Sequence, residues 1–426
     1  MREHSLRYAL VNELHARPPL DLEGPAHASY YALVREEGSQ ADRDHLLAFC
    51  RRYGLTQPPP DAKHYSARAD QVTLKWEQHT EFTSWLFVRR DGGVAPFTAR
   101  ASDAVAADWW QDTPGDLLVA THLVLLPRTA EDPGPAELAH WFNGESLCTS
   151  ELYGERAAVW TDFRIHADGA SRFLIRNQSL SPVQCGRLVQ RLAELETYRA
   201  MSLLALPLAQ AASPRIRAVD LELAALTARL KSLAGLEGQR AALHELTLLS
   251  GEIEDIAAGT AYRFGATVAY HALVLERIEP LREPHDPGRQ SIAEFIERRL
   301  LPAVRTCESV AARQESLSQR LTRSADLLRT LVDVALEEQN RDLLASMNQR
   351  TRMQFRLQET VEGLSIAAIT YYVVGLVGYA AKWAHGVWPA LSVELAQALA
   401  IPLVAAVLWS SLRRLRRRLA TDDPQH

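Results

Sequence analysis

The sequence predicts an α+β domain, then long α-helices, then a two-helix transmembrane hairpin close to the C-terminus. Three observations predict this order: segments rich in Val, Thr, Phe and Trp before residue 180, helical periodicity after it, and two apolar runs near the end. The expected parts are an α/β domain (1–180), a helical region (181–288), a stalk helix (289–362), the hairpin (363–412) and a basic tail (413–426).

About five strands are expected in the first domain, with helices packed on the sheet. Their segments are rich in β-branched and aromatic residues or form a continuous apolar run, and several end at Gly, Asp or Pro turn signals. They are residues 71–79, 82–90, 117–126, 157–166 and 171–177. The run at 117–126 is typical of a central strand buried on both faces. Asp168-Gly169 suits a tight hairpin turn between the last two segments.

Helices are predicted from Ser181 onward, where Ser181-Pro182 supplies an N-cap and a proline at the first helical position. No proline occurs between Pro302 and Pro389, so one helix is expected to run from the stalk into the membrane. Residues spaced by four and three predict a seam for a partner helix, from a second copy or from the same chain. They are Leu317, Leu321, Ser324, Leu328, Leu331 and Ala335.

The hairpin is predicted from two apolar runs, residues 363–381 and 395–412, each close to the roughly 20 residues that cross a bilayer. The tail after the second run carries five arginines between Arg413 and Arg418, whereas the connector has one lysine. Because basic residues mark the cytoplasmic side, both termini and the main domain are expected in the cytosol, with the hairpin in the bacterial inner membrane. The lipid bilayer is therefore an expected partner.

Composition and motifs narrow the function. The net charge of −5 gives no reason to expect a nucleic-acid partner. Four widely spaced cysteines predict buried thiols in a reducing compartment. The chain has no P-loop, dinucleotide-binding, G-x-S-x-G or H-E-x-x-H motif, so no cofactor is identified and no catalytic constellation is predicted.

The order of parts from Leu328 to Arg418 resembles the CorA-type magnesium channel superfamily. That resemblance implies a pentamer whose first membrane helix lines a pore and ends in a Gly-Met-Asn signature. Here the region reads Gly375-Leu376-Val377-Gly378, followed by Lys382, so the signature is absent. A ring of ammonium groups at that mouth would oppose cation entry.

A closer resemblance covers most of the chain. The stretches Asn12-Glu13-Leu14-His15-Ala16-Arg17-Pro18, His79-Thr80-Glu81-Phe82 and Glu194-Leu195-Glu196-Thr197-Tyr198-Arg199 are similar to signatures of the domain-of-unknown-function family 3422. Its members are described as predicted membrane-anchored bacterial proteins. The resemblance implies a membrane anchor and no particular activity.

Candidate site residues in the soluble domain are His15, Arg17, His79 and Glu81. Two histidines and a carboxylate are metal or ligand-binding types if the fold brings them together. The alternative is structural, with Arg17 pairing with Glu13 or Glu81. Two aromatic pairs, Trp109-Trp110 and Trp141-Phe142, are candidates for a pocket wall or for the core.

A second candidate set lies on the first membrane helix, as a pore or helix-contact face. Its members are Glu359, Glu362, Tyr371, Gly375, Gly378 and Lys382. Small residues there allow close helix approach, and the two glutamates form either a cation-attracting ring or solvated flank charges. Three functions remain open: an ion-conducting CorA-like oligomer, a non-conducting anchored scaffold or sensor, and a membrane-tethered enzyme.

Overall fold

The computed structural model describes residues 3–8, 10–11, 18–35, 40–90, 95–230, 235–284, 288–387 and 392–421. Its contacts divide the chain into two compact units. The first contains Met1–Ser232 and His244–Ala325, and the second contains Leu233–Leu243 and Asp326–His426. Residues His15 and Arg17 lie outside the described residues.

The first unit contains a mixed sheet whose eight described strands have the order β2-β3-β4-β1-β5-β8-β7-β6. The bounds are β1 Ala26–Val34, β2 His64–Ala69, β3 Val72–Gln78, β4 Phe82–Arg90, β5 Asp116–Leu126, β6 Cys148–Leu152, β7 Ala157–Thr161 and β8 Ser171–Asn177. Neighbouring strands are antiparallel except β5 and β8, which are parallel.

Each of the five expected strands is present, and the strand predicted as central, β5, lies between β1 and β8. The expected number was too low, because β1, β2 and β6 were not predicted. β1 has the sequence AHASYYALV, and its alanines have a lower strand propensity than β-branched residues. It is nonetheless buried along most of its length, because both faces of the sheet are covered. Gly169 adopts a positive φ of 82° in the loop between β7 and β8.

Different groups of helices cover the two faces of the sheet. One face packs side chains such as Tyr30 and Leu123 against Leu188, Leu192 and Ile296 of the long helices. The other face packs Trp85 and Phe87 against α1 (Gln40–Arg52) and α2 (Ala107–Gln111). Further along, Val124 and Trp160 pack beside α3 (Pro135–Trp141) and Phe142.

The helical part begins at the predicted place. The helix α4 (Pro182–Leu203) starts with a capping box, in which Ser181 N–H donates to Gln184 Oε1 at 2.9 Å and the Ser181 hydroxyl accepts from the Gln184 amide. The helices α5 (Ala205–Leu230) and α6 (Leu236–Ile278) follow. Gly235 precedes α6 with a φ of 88°, whereas Gly251 and Gly259 lie inside α6. The four cysteines are buried free thiols, as expected.

Two long helices complete the chain: α7 (Ile292–Val387) and α8 (Val393–Thr421). The predicted continuity of the stalk and the first apolar run is confirmed, because α7 contains both. The seam is filled within the chain at Leu317, Leu321 and Leu328, which are at most 1% exposed. Leu331 is 39% exposed.

The apolar parts of α7 and α8 are long and apolar enough to cross a membrane by length and composition. Only 11% of the most apolar window in the first helix and 0% of that in the second are buried. The helices approach each other at Gly378, where an added Cβ would meet the side chain of Gln397.

Candidate functional site

A polar concave surface of the sheet domain is a cavity of about 670 Å³ beside β1 and β5. We call it the Tyr31–His122 pocket. Its other lining residues are Tyr53 directly after α1, the segment from Arg100 to Trp110, and the loop before β8. Those used below are Tyr31, Tyr53, Arg100, Ser102, Asp103, Trp110, Ala120, His122, Asp168 and Ala170.

The strand register builds the floor of this pocket. Ser29 lies opposite His122, and Tyr31 lies opposite Ala120, across the antiparallel β1–β5 pair. Because alternate residues of a strand share a face, the two pairs project toward the same side of the sheet. Arg172 of β8 is in register with His122 on the other side of β5. Three neighbouring strands thus place a hydroxyl, an imidazole and a guanidinium in one row.

A hydrogen-bonded chain holds the floor in place. His122 Nδ1 lies 3.1 Å from Ser29 Oγ, which also accepts from the Ser102 amide at 3.4 Å. The Ser102 hydroxyl lies 2.8 Å from the Tyr31 hydroxyl. Ser102 belongs to a short 3-10 turn, Ala101–Ala104, so this chain ties the turn to the sheet.

Burial sets the charge state of the floor. His122 is 6% exposed, and burial lowers its pKa to about 4, against the opposing influence of Asp168. The imidazole is therefore neutral at pH 7. Burial also raises the pKa of Tyr31 above its ordinary value of 10.0. Although burial acts to raise the pKa of Asp168, the hydrogen bond and charge of Arg172 hold it below its usual range.

This arrangement is suited to binding rather than to nucleophilic catalysis. Ser29 is 0% exposed, so its hydroxyl cannot meet a substrate in the cavity. The Nε2 atom of His122 has no hydrogen-bond partner among the described residues, and His122 lines the cavity. A polar atom without a partner, on a residue that lines a cavity, is a feature of ligand sites.

A second cavity, of about 610 Å³, lies beside α1 and α2 and is lined by His45 and Trp109. The His45 ring stacks on Trp109 with centroids 4.1 Å apart, and burial lowers the His45 pKa to about 4. Thr113 Oγ1 lies 3.2 Å from His45 Nε2, and Arg52 pairs with Asp108 at 2.7 Å. Several polar groups here are paired, although Trp109 Nε1 is buried without a hydrogen-bond partner among the described residues.

The sequence-based candidates His79 and Glu81 occupy the other face of the sheet domain. Glu81 forms an ion pair with Arg263 of α6. The His79 ring stacks on Phe82, with centroids 4.2 Å apart. In the part of the chain that the structure describes, no group of three or more His, Cys, Asp and Glu residues is arranged to hold a metal ion. Glu81 therefore serves the packing of α6, and its use as a ligand residue stays a prediction.

The residues from Glu194 to Arg199 of α4 form contacts that hold the fold together. Glu194 accepts from Arg277 of α6 at 2.5 Å, and Glu196, 2% exposed, is paired with Arg199 at 2.9 Å. The Thr197 hydroxyl donates to Tyr30 of β1 at 2.9 Å. These contacts connect α4 to the sheet and to α6.

The membrane-helix candidates divide into two groups. Gly378 is buried against Gln397 of α8, which makes it a helix-contact residue within one chain. Tyr371 is 77% exposed, and Lys382 is also exposed. Glu362 accepts from Gln358 at 3.4 Å, and Glu359 is exposed. An added Cβ at Gly375 meets nothing within 4 Å.

The sequence left Trp110 open between a pocket wall and the core, and it did not predict the floor of the Tyr31–His122 pocket. Trp110, proposed for a pocket wall or the core, lines the cavity, whereas Trp109 is 5% exposed in the core. His122 went unnoticed inside the apolar run at 117–126. The available signal was the polar pair Thr121-His122 in the middle of a strand predicted to be buried on both faces.

Together these features define an α/β sheet domain with a polar pocket, followed by long helices and two apolar C-terminal helices. The chain belongs to the family described as "Protein of unknown function (DUF3422)", whose sequence model matches residues 2–419. This confirms the family resemblance drawn from the three signature stretches. No curated protein and no solved structure matches the chain, so the CorA-type architecture is not supported.

Proposed function

We propose that this protein is a membrane-anchored sensor whose sheet domain binds a small molecule in the Tyr31–His122 pocket. One observation carries the proposal: His122, 6% exposed, lines a cavity of about 670 Å³ with its Nε2 atom unpartnered among the described residues. Cavities of roughly 300–1,000 Å³ with a few convergent polar groups are typical of small-molecule sites.

The anchor is supported by the low burial of the two apolar windows, 11% and 0%. A core helix of a soluble domain would be mostly buried, whereas a membrane helix is exposed until lipid surrounds it. The arginine-rich segment from Arg413 to Arg418 supports a cytoplasmic C-terminus in the bacterial inner membrane. Two crossings then return the sheet domain to the cytoplasm.

Fractionation and thiol labelling test the anchor. The full chain is expected to stay with membranes after alkaline carbonate washing. A cysteine introduced by Ser392→Cys should react with an impermeant thiol reagent in intact cells, whereas one introduced by Thr421→Cys should not. Labelling only at Thr421→Cys would reverse the orientation. Complete release of the protein from membranes by carbonate would overturn the proposal of a membrane anchor.

A fragment screen tests the ligand-binding part. Protein-detected binding would be compared between the wild type and Ala120→Phe, which places a ring on the pocket floor. Ala257→Phe, at a separate helical groove, is the matched control. We expect hits that Ala120→Phe abolishes and Ala257→Phe leaves unchanged. A screen without any such hit would overturn the proposal.

Ion conduction by an oligomer is a second candidate, favoured by one observation. Tyr371, 77% exposed, and the exposed Lys382 leave polar groups on the first apolar helix that another copy could face. A pentamer would follow if the CorA resemblance extended to assembly. In reconstituted liposomes, Lys382→Asn should then raise divalent flux. If neither the wild type nor Lys382→Asn conducts cations or anions, ion conduction is ruled out.

A further inference from the structure

Several hydrogen-bond donors at the Tyr31–His122 pocket have no acceptor among the described residues. The Arg100 guanidinium forms no hydrogen bond or ion pair there, although its main-chain N–H donates to Asp103 at 2.8 Å. The Tyr53 hydroxyl accepts from the Ala106 amide at 3.2 Å, which leaves its proton available. A ligand that satisfies these groups must supply acceptors.

The His122 network adds a donor of the same kind. Ser29 Oγ accepts from the Ser102 amide and can donate its own proton to His122 Nδ1, 3.1 Å away. We assign the tautomer accordingly, with the second proton of the neutral ring on Nε2. The Nε2–H group then donates toward the cavity that His122 lines.

The carboxylates of the pocket are already engaged. Asp103 Oδ2 accepts from the Arg100 amide, and Asp168 Oδ2 accepts from Arg172 at 3.0 Å. Asp168 Oδ1 accepts from the Ala170 amide at 3.4 Å. The site therefore has more unsatisfied hydrogen-bond donors than unsatisfied acceptors. Two nearby carboxylates and a single unpaired guanidinium favour an anion of low charge over a phosphate dianion.

An aromatic wall gives the second part of the ligand's chemistry. Tyr31 and Trp110 have ring centroids 4.7 Å apart, and Trp110 and Tyr53 both line the cavity. Trp110 is only partly buried, so it retains surface for a bound ring. Flat apolar bodies pack well against such rings.

We propose that the Tyr31–His122 pocket binds a monocarboxylate that carries a planar ring. The carboxylate accepts from Arg100, His122 and Tyr53 supply further donors, and the ring packs against Trp110. This inference rests on the proposed ligand-binding function and assigns its chemical class.

Isothermal titration of the purified full chain in detergent tests the assignment with four aromatic probes. Benzoate and indole-3-acetate carry the carboxylate, benzamide is the neutral isostere of benzoate, and phenyl phosphate carries the higher charge. We expect the carboxylates to bind at least about tenfold more tightly than benzamide and phenyl phosphate. This corresponds to one charge-assisted hydrogen bond.

Substitutions of lining residues test whether the probes bind in the Tyr31–His122 pocket. Arg100→Gln should weaken carboxylate binding by about 10- to 100-fold, and Trp110→Leu should weaken the binding of the ring compounds. Arg68→Gln, an exposed arginine on the edge strand β2, is the matched control and should change nothing. Because Arg100 is exposed, its replacement is not expected to impair folding.

The outcomes separate this inference from the function on which it rests. Benzamide binding as tightly as benzoate, or carboxylate binding unchanged by Arg100→Gln, would overturn the ligand class. If fragments blocked by Ala120→Phe are still found in that case, the pocket function stands. Absence of any carboxylate binding, together with no fragment sensitive to Ala120→Phe, would overturn both.

Discussion

Ser29 and His122 face each other across the β1–β5 pair, with Ser29 Oγ and His122 Nδ1 3.1 Å apart and both side chains at most 6% exposed. A serine on an alanine-rich strand thus fixes the orientation of a histidine that lies in an apolar run. The hydrogen bond leaves the opposite ring nitrogen for the cavity.

The stability of the protein should fall as the pH drops from about 6.5 to about 4. Burial lowers the pKa of His122 and of His45 from 6.5 to about 4, so the unfolded chain takes up protons in this range before the folded chain does. The charges near His122 are Asp168, Asp103, Arg100 and Arg172. Above pH 6.5 these two histidines contribute no pH dependence.

Denaturant titrations between pH 4 and 7.5 measure this effect. His122→Gln retains a polar side chain and should reduce the slope of unfolding free energy against pH in that window. His140→Gln, at an exposed histidine near the end of α3, is the matched control variant. An equal slope in wild type and His122→Gln would contradict the prediction.

Gly186→Ala should destabilise the protein by about 1–3 kcal/mol or more, because this position has no room for a Cβ. An added Cβ would lie 1.6 Å from the main-chain oxygen of Leu20, an atom that cannot rotate away. Gly259→Ala, inside α6 with nothing within 4 Å, should instead stabilise the protein by about 0.5–1 kcal/mol. Thermal melting of the two variants gives opposite signs if this packing is correct.

Glu81 and Arg263 should behave as an energetically coupled pair. Their side chains are 16% and 19% exposed, so removing one partner leaves a partly buried charge and should cost about 1–3 kcal/mol. The double variant Glu81→Gln/Arg263→Gln should lose less than the sum of the single variants. If chelator treatment of the wild type instead reproduced the loss caused by Glu81→Gln, a metal role for Glu81 would be favoured.

Gly378 and Gln397 should crosslink within one chain after both are changed to cysteine. An added Cβ at Gly378 would meet the end of the Gln397 side chain, which places the two positions in contact. Oxidation of Gly378→Cys/Gln397→Cys should give a monomer of altered gel mobility. The pair Tyr371→Cys/Gln397→Cys is the control, because Tyr371 is 77% exposed. Covalent dimers from the first pair would indicate that Gly378 faces a second copy.

Much of the secondary structure was determined locally. The start of α4 followed from Ser181-Pro182, because a capping side chain and a proline satisfy the end of a helix without distant partners. The strand β5 followed from an apolar run. The continuity of α7 after Pro302 followed from the absence of proline up to Pro389. The two apolar C-terminal helices likewise followed from composition.

The tertiary structure decided which residues meet. β1 became a strand although its alanines favour no strand, since pairing with β4 and β5 and burial on both faces outweigh local preference. That pairing brings Ser29 to His122, which are far apart in sequence. It also gives Glu81 the partner Arg263 on α6. The sequence by itself determined five of the eight described strands, the start of α4 and the two apolar runs. The pocket exists only because strand register aligns side chains that no local pattern connects.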